Sequence, residues 1–391
     1  MIPLNIENKN LNIVIFIAFI ILVLTRHFEF FTNPRFWAEE GTQYFSDAYI
    51  NGFTSLWQEH KGYYSLTPSV AAYFSTLVPL EHAPLVTTIF AFFVQIIPFY
   101  LISISRSEYL DTSLKKLLAS MIILFIANTP EIWLNTVTSQ FHFIIIVFLL
   151  LLDKKSTMSK LKTYFFYILA VISGLSGIPA NILAPVFIYN YFVTKEKANL
   201  WLFGIFTLTT SMHVAFILSA ERIKNLTDAG LNVIGNIFVS VFQYPFFYTG
   251  KVGVETLITL PLVYIIIRYL SSKKYFNIFF GTAMLLAVIM IMTSWGMNGG
   301  RRYVYAPSVI LVMGLMVAVY DISLSKVIRG IIAAYILFGL FTGIKNFPLV
   351  DGQFHGKGWK HWKNEVARYE AHTIDSIVLY PPTWVMPLPR R

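Results

Sequence analysis

Two adjacent carboxylates, Glu39 and Glu40, sit in the string FWAEEGTQYF, directly after the first long apolar run of the chain. Trp37, Gly41 and Tyr44 flank them. A carboxylate at the end of an apolar helix, beside aromatic rings, is partly desolvated. Its pKa then rises towards neutrality, which suits a general base. The same pair would equally serve as a solvated acidic boundary, because perturbed carboxylates mark function only statistically. Basic and aromatic residues recur together at two further places, His60-Lys61-Gly-Tyr63-Tyr64 and Arg301-Arg302-Tyr303-Val-Tyr305. Arginine holds a phosphate through two parallel hydrogen bonds, so Arg301 and Arg302 read as anion-binding groups. Headgroup anchoring or pairing with a carboxylate is their alternative role. His142, next to the start of an apolar run, reads as a buried structural histidine. His355 and His361 lack the spacing of a metal site.

These groups need a scaffold, and the composition says which kind. Of 391 residues, 56% are hydrophobic and 13% charged, too apolar a balance for a water-facing exterior. Apolar runs approach or reach the roughly 20 residues that cross a hydrocarbon core. Spans are expected near 11–29, 85–105, 116–131, 140–153, 161–175, 179–193, 198–218, 253–271, 275–295, 304–320 and 327–345, about eleven in all. The first run lacks a small-x-small cleavage site and reads as a retained helix, not a signal peptide. Lysines and arginines gather in the connections 106–116, 153–162, 195–197, 268–274 and 326–329. The positive-inside rule makes that side cytoplasmic, with the N-terminus inside and the C-terminal tail in the periplasm. The net charge of +10 is thus a topology signal rather than a nucleic-acid groove. With no cysteine, disulfides and thiolate chemistry are excluded.

The expected fold is an all-α integral membrane protein: a polytopic domain over 1–345 and a small periplasmic tail over 346–391. Residues 30–84 form a long first periplasmic loop. Within it, 67–80 is too short to span and reads as an interfacial helix. Tyr44, Phe45, Ala48, Tyr49, Phe53, Leu56 and Trp57 recur at helical spacing and predict a second surface helix. The Gly-rich stretch 173–179 lacks a following strand and reads as a helix–helix turn, not a nucleotide loop.

The string FWAEEGTQYF, directly after a first apolar helix, resembles the WAEDG-type motif of bacterial GT-C membrane glycosyltransferases, in particular the serotype-converting O-antigen glucosyltransferases. The lipid A aminoarabinose transferases share this architecture more distantly. The resemblance implies that an acidic residue of the first outside loop acts on the acceptor hydroxyl or positions a metal. Glu40 stands where the family more often shows Asp, which leaves Glu39 and Glu40 both open as the base. His60, Lys61 and the tyrosines after them resemble an element facing the lipid phosphate. The stretch from Asn135 to Gln140 resembles the polar end of a later span lining the same cavity. Arg301 to Pro307 resembles an outer-face arginine–tyrosine element, and Tyr380-Pro-Pro-Thr-Trp384 a Pro-rich ending.

The expected reaction is therefore an inverting transfer of a hexose, taken as glucose, from undecaprenyl phosphate to a hydroxyl of O-antigen, lipopolysaccharide or a related cell-surface glycan. Glu40, with Glu39 as the alternate, deprotonates the acceptor. Arg301, Arg302, Lys61 and His60 face the departing phosphate, and Trp37, Tyr44, Tyr63, Tyr64, Asn135, Gln140, Tyr303 and Tyr305 line the substrate. A divalent cation, Mg or Mn, bridging carboxylate and phosphate is an open alternative without a visible ligand set. The expected partners are the lipid donor, the glycan acceptor and the bilayer, with a donor-synthesising membrane transferase and a flippase upstream. An O-antigen polymerase or ligase is the alternative enzyme. A lipid-linked sugar transporter or flippase would place charge in mid-membrane, which these spans lack.

Overall fold

The computed structural model describes residues 7–26, 28–60, 62–127, 129–219, 232–247, 253–293, 301–347, 361–381 and 383–389. Among them the chain is helical apart from one short hairpin near the C-terminus. Five helices are long and apolar enough to cross a membrane: Lys9–Arg26, Leu80–Ile104, Lys197–Leu218, Arg302–Tyr320 and Lys326–Lys345. Ile13, Val14, Ile17 and Ile21 on the first, and Leu337, Phe338 and Phe341 on the last, are exposed. Such apolar faces can be stable only against lipid. The chain thus has the architecture of a helical membrane protein. The other expected spans are shorter helices, among them Ser113–Phe125, Gln140–Leu152 and Ala184–Thr194.

The elements that carry the argument are α1 (Lys9–Arg26), α2 (Leu66–Ser75), α3 (Ala83–Ile104), α4 (Ser113–Phe125), α5 (Gln140–Leu152), α6 (Tyr305–Tyr320) and α7 (Trp362–Glu370). α5 is apolar all round and buried from Phe141 to Leu152, as a helix with no polar face must be. α6 packs beside it and is buried over most of its length. These two form the core, and other helices pack around them.

The two ends of the bundle start their helices differently. At the lysine-rich end, Thr112, Ser159 and Ser325 cap helix N-termini by accepting from the backbone N–H groups of Lys115, Lys162 and Ile328. At the Glu39 end, helices open on Pro84 and Pro185, where a missing N–H costs nothing. Gln95, in the middle of α3, donates to Ile132 O at 3.2 Å and accepts from Leu134 N at 3.0 Å. A single buried amide therefore pins the 131–139 connection down into the bundle.

α2 is the short helix expected in the first loop; at 10 residues it is about 15 Å long. The surface helix expected before it is broken. A π-turn over Glu40–Phe45 leads into the α-helix Ser46–Asn51 and a 3-10 turn over Gly52–Trp57. Gly52 has φ 58°, a left-handed conformation that ends the α-helix. Phe53 and Trp57 are thereby swung outward while Tyr44, Phe45 and Ala48 stay buried, so the single apolar stripe of the sequence becomes two faces.

The tail closes over this loop. β1 (Ser376–Val378) and β2 (Val385–Pro387) pair antiparallel, with Ile377 opposite Met386. Their inner residues join Trp362, Val366 and Tyr369 of α7 and meet Phe36 and Phe45 of the first loop in one core. The rings of Phe36 and Trp362 stand edge to face at 5.4 Å, and Trp362 Nε1 donates to Leu80 O at 3.0 Å. Loop and tail, read as separate in the sequence, are packed as one cap.

Candidate active site

Glu40 is 2% exposed. Its Oε1 accepts from Thr136 N at 2.7 Å and Thr136 Oγ1 at 2.5 Å, and its Oε2 from Trp37 N at 3.2 Å. One carboxylate thus ties its own turn to the 131–139 connection, which Gln95 holds. Burial lifts the Glu40 pKa above the ordinary glutamate value, and the bonds from Thr136 and Trp37 oppose that rise. The folded chain therefore holds a proton there more tightly than the unfolded chain. Stability from this group is fully present below the ordinary glutamate pKa and is lost as pH rises through the lifted one. Glu40→Gln is expected to flatten that slope, read as Tm against pH between about 4 and 8 for variant and wild type.

Glu39, the next residue back, is only half-buried. It lies within electrostatic reach of Arg302 and of Tyr44. Arg302 Nη1 stands 3.3 Å from Glu131 Oε2, its own N–H donates to Glu131 Oε1 at 3.3 Å, and its guanidinium lies 5.6 Å from the centre of the Tyr303 ring. Tyr303 in turn meets Phe141 edge to face at 5.4 Å. The first loop, the 131–139 connection and the start of α6 therefore bring Glu39, Glu131, Arg302 and Tyr303 to one place.

Tyr44 extends this place towards the second basic element. Its hydroxyl, held protonated by burial, lies near Tyr63, Ser65 and Glu59. His60 packs edge to face on the Tyr44 ring at 4.5 Å, with Nε2 3.5 Å from Asp47 Oδ2. Burial lowers the His60 pKa from its ordinary value, against the opposing pull of Asp47 and Glu59. The ring thus stands at the site between Tyr44 and Asp47. Lys61 lies outside the described residues, as does the side chain of Arg301.

Other expected lining residues serve the frame. Asn135 Nδ2 donates to Glu131 O at 2.6 Å and its Oδ1 accepts from Thr138 N at 2.9 Å, which folds the 131–138 turn. Tyr64 is buried and donates to Leu56 O at 2.8 Å. Tyr305 is 1% exposed and donates to Ile123 O at 3.0 Å, beneath the site. His142 is buried beside it, its ring 4.7 Å from that of Trp133. Gln140 is half-buried and packs over Gly177. Trp37 is buried with its ring 5.3 Å from Tyr380 and forms the floor of the motif.

That floor belongs to the tail. Ala38 N donates to Tyr380 O at 2.5 Å and Tyr380 N to Phe36 O at 3.4 Å, so the carboxylate motif is strand-paired with the chain after β1. Ala38 takes φ 29°, a conformation that needs such outside support. Gly41 faces Leu379 so closely that a Cβ would approach its Cδ1 to 2.5 Å. Arg35 and Glu365, 4% and 2% exposed, face one another electrostatically across the same junction. Burial brings Arg35 down to about 10 against the pull of Glu365.

The sequence motifs did not disclose Thr136 as the Glu40 partner, Glu131 as the Arg302 partner, or the Arg35–Glu365 junction. Glu365 did carry a signal, since it shares the helical face of Trp362, Val366 and Tyr369. Among the described residues no group of three or more His, Asp or Glu side chains is arranged to hold a metal ion. Compared with family models, curated proteins and solved structures, the chain matches none.

Proposed function

We propose that the chain is a GT-C-like hexosyltransferase of the bacterial inner membrane, using undecaprenyl-phosphate glucose as donor and a hydroxyl of a lipopolysaccharide or related surface glycan as acceptor. The observation that carries the reading is the pairing of Arg302 with Glu131 at 3.3 Å beside Tyr303, with Glu39, far away in sequence, within electrostatic reach of Arg302 and of Tyr44. A half-exposed carboxylate facing an arginine among tyrosines is what transfer from a sugar phosphate requires. In the reading, Glu39 takes the proton of the acceptor hydroxyl. The freed oxygen pair attacks the anomeric carbon, and the carbon–oxygen bond to the lipid phosphate breaks on the far side, inverting that carbon. Arg302 pairs with the phosphate as its charge grows.

The sequence puts Glu40 first, with Glu39 as the alternate. With both oxygens engaged by Thr136 and Trp37, Glu40 is better suited to fix the turn, and Glu39 to meet substrate. A Mg or Mn ion would find Glu39 and Glu131 as carboxylates but no three-ligand set among the described residues.

In this proposal the shorter helices cross as well, giving about eleven spans with a periplasmic Glu39 end. Support comes from the connections, which meet one another at the lysine-rich end: Lys274 with Glu108 at 3.0 Å, Lys273 with Asp321 at 3.5 Å, Glu196 with Ser156 N at 3.1 Å. A donor-synthesising transferase and a flippase would supply the lipid-linked sugar on the far side.

The test is Arg302. Arg302→Gln is expected to lower glucose transfer to surface glycan by about 10²–10³-fold, with Arg302→Lys intermediate because it keeps charge but not the planar fork. Transfer is read by mass spectrometry of the glycan from cells expressing each variant. Wild-type transfer in Arg302→Gln would exclude the assigned role.

A further inference from the structure

At the lysine-rich end, opposite Glu39, a cavity of about 1140 Å³ opens among the connecting loops. No sequence motif marks it. Carboxylates line it, yet each already has a partner. Glu7 pairs with Lys116 at 2.8 Å, Asp111 with Lys115 at 2.7 Å and Glu108 with Lys274 at 3.0 Å. Asp153 accepts from Lys162 Nζ at 2.7 Å and from Arg106 N at 2.8 Å. Glu196 accepts from Ser156 N at 3.1 Å, with Lys155 in electrostatic reach. Lys9, Arg106, Lys154, Lys195 and Lys274 line the cavity as well and match its carboxylates in number, and Lys115, Lys116 and Lys162, which pair with those carboxylates, add positive charge around it.

Neutral donors complete the lining. Asn190 is 6% exposed, borders the cavity, and its side-chain amide makes no hydrogen bond among the described residues. Asn12, 3% exposed, accepts from Ser113 Oγ at 2.8 Å through Oδ1, which leaves its amide nitrogen for the cavity it borders. Buried amides beside ammonium groups select an anion with several acceptor oxygens, as a phosphate has.

The rim decides what carries that phosphate. Ile13 and Val193 line the cavity and are 55% and 53% exposed. Ile13 continues into the lipid-facing Val14, Ile17 and Ile21 of α1, and Val193 adjoins exposed Phe192. A soluble nucleotide would leave these side chains uncovered, whereas acyl chains extend along them. We infer that this cavity holds the phosphate headgroup of an anionic membrane lipid, with its chains lying against Ile13 and Val193. The site stands on membrane residence alone and is independent of the transferase reading.

The experiment uses the full chain in nanodiscs, with fluorescent phosphatidylglycerol and phosphatidylcholine as competing probes and inorganic phosphate as a third arm. Wild type is expected to favour phosphatidylglycerol by about tenfold. Lys9→Gln/Lys195→Gln, at exposed positions that leave folding intact, is expected to bring the preference to within about twofold. Asn190→Leu is expected to weaken phosphatidylglycerol binding with Tm as the folding control. Inorganic phosphate at millimolar concentration is expected not to displace the lipid. Equal binding of the two lipids, or an unchanged preference in the double lysine variant, overturns the site. Displacement by inorganic phosphate overturns its assignment to a lipid.

Discussion

Glu39→Gln is expected to lower hexose transfer by about 10²–10⁴-fold while leaving Tm within about 1 °C of wild type. Glutamine keeps the shape of the side chain and removes only its ability to take a proton. Glu39 is half-buried and outside the three-bond clasp that holds Glu40, so the substitution leaves that clasp in place. Glu40→Gln behaves differently. Its amide would set a donor against the Trp37 N–H that Oε2 now receives, loosening the turn while relieving a buried carboxylate. Activity then falls through a misplaced Glu39, and the loss comes with a change in the pH dependence of Tm. Glycan mass shift in cells, together with thermal unfolding of the purified proteins, separates the two variants. A Glu39→Gln variant as active as wild type would return the catalytic role to Glu40 or abolish it.

Glu365→Leu should be among the most destabilising single substitutions in the cap, by about 3–5 kcal/mol. It removes the carboxylate that faces Arg35 while Arg35 stays 4% exposed. Arg368, bonded to Glu365 at 2.9 Å, loses a partner too, but at the surface, where the cost is small. The tail core of Trp362, Val366, Ile377 and Met386 then separates from Phe36 and Phe45, and the Ala38–Tyr380 bond goes with it. Limited proteolysis should cut residues 361–389 in the variant and spare them in wild type. Arg35→Met/Glu365→Leu should recover much of the loss, because an apolar pair can replace a buried ion pair. Equal loss in the single and double variants would mean that the junction is not electrostatic.

Much of this architecture is legible in the sequence, for physical reasons. Lipid-facing helices show themselves as apolar runs, and the lysines at one end mark the connections. The Glu39–Glu40 motif and the arginine–tyrosine run were visible because charge beside an apolar span is costly and so stands out. The docking of the tail was not legible, since Leu379 against Gly41 and Tyr380 against Ala38 are pairings of ordinary residues far apart in sequence. Nor was the division of labour at the site. Tyr303 and Tyr305 look alike in sequence, but a two-residue step on a helical turn sends one to Arg302 and the other into the core behind Ile123. Gln95 was the overlooked signal: a lone amide inside an apolar span needs a partner, and it found the connection that carries Thr136 and Glu131.

The most direct measurement is transfer by the purified protein in vesicles that contain polyprenyl-phosphate glucose and a lipid-anchored acceptor glycan. The account requires release of polyprenyl phosphate with one glucose added to the acceptor per molecule released, inverted at the anomeric carbon, and release reduced to background in Glu39→Gln and Arg302→Gln. Release that is absent from wild type, or equal in wild type and both variants, would contradict it.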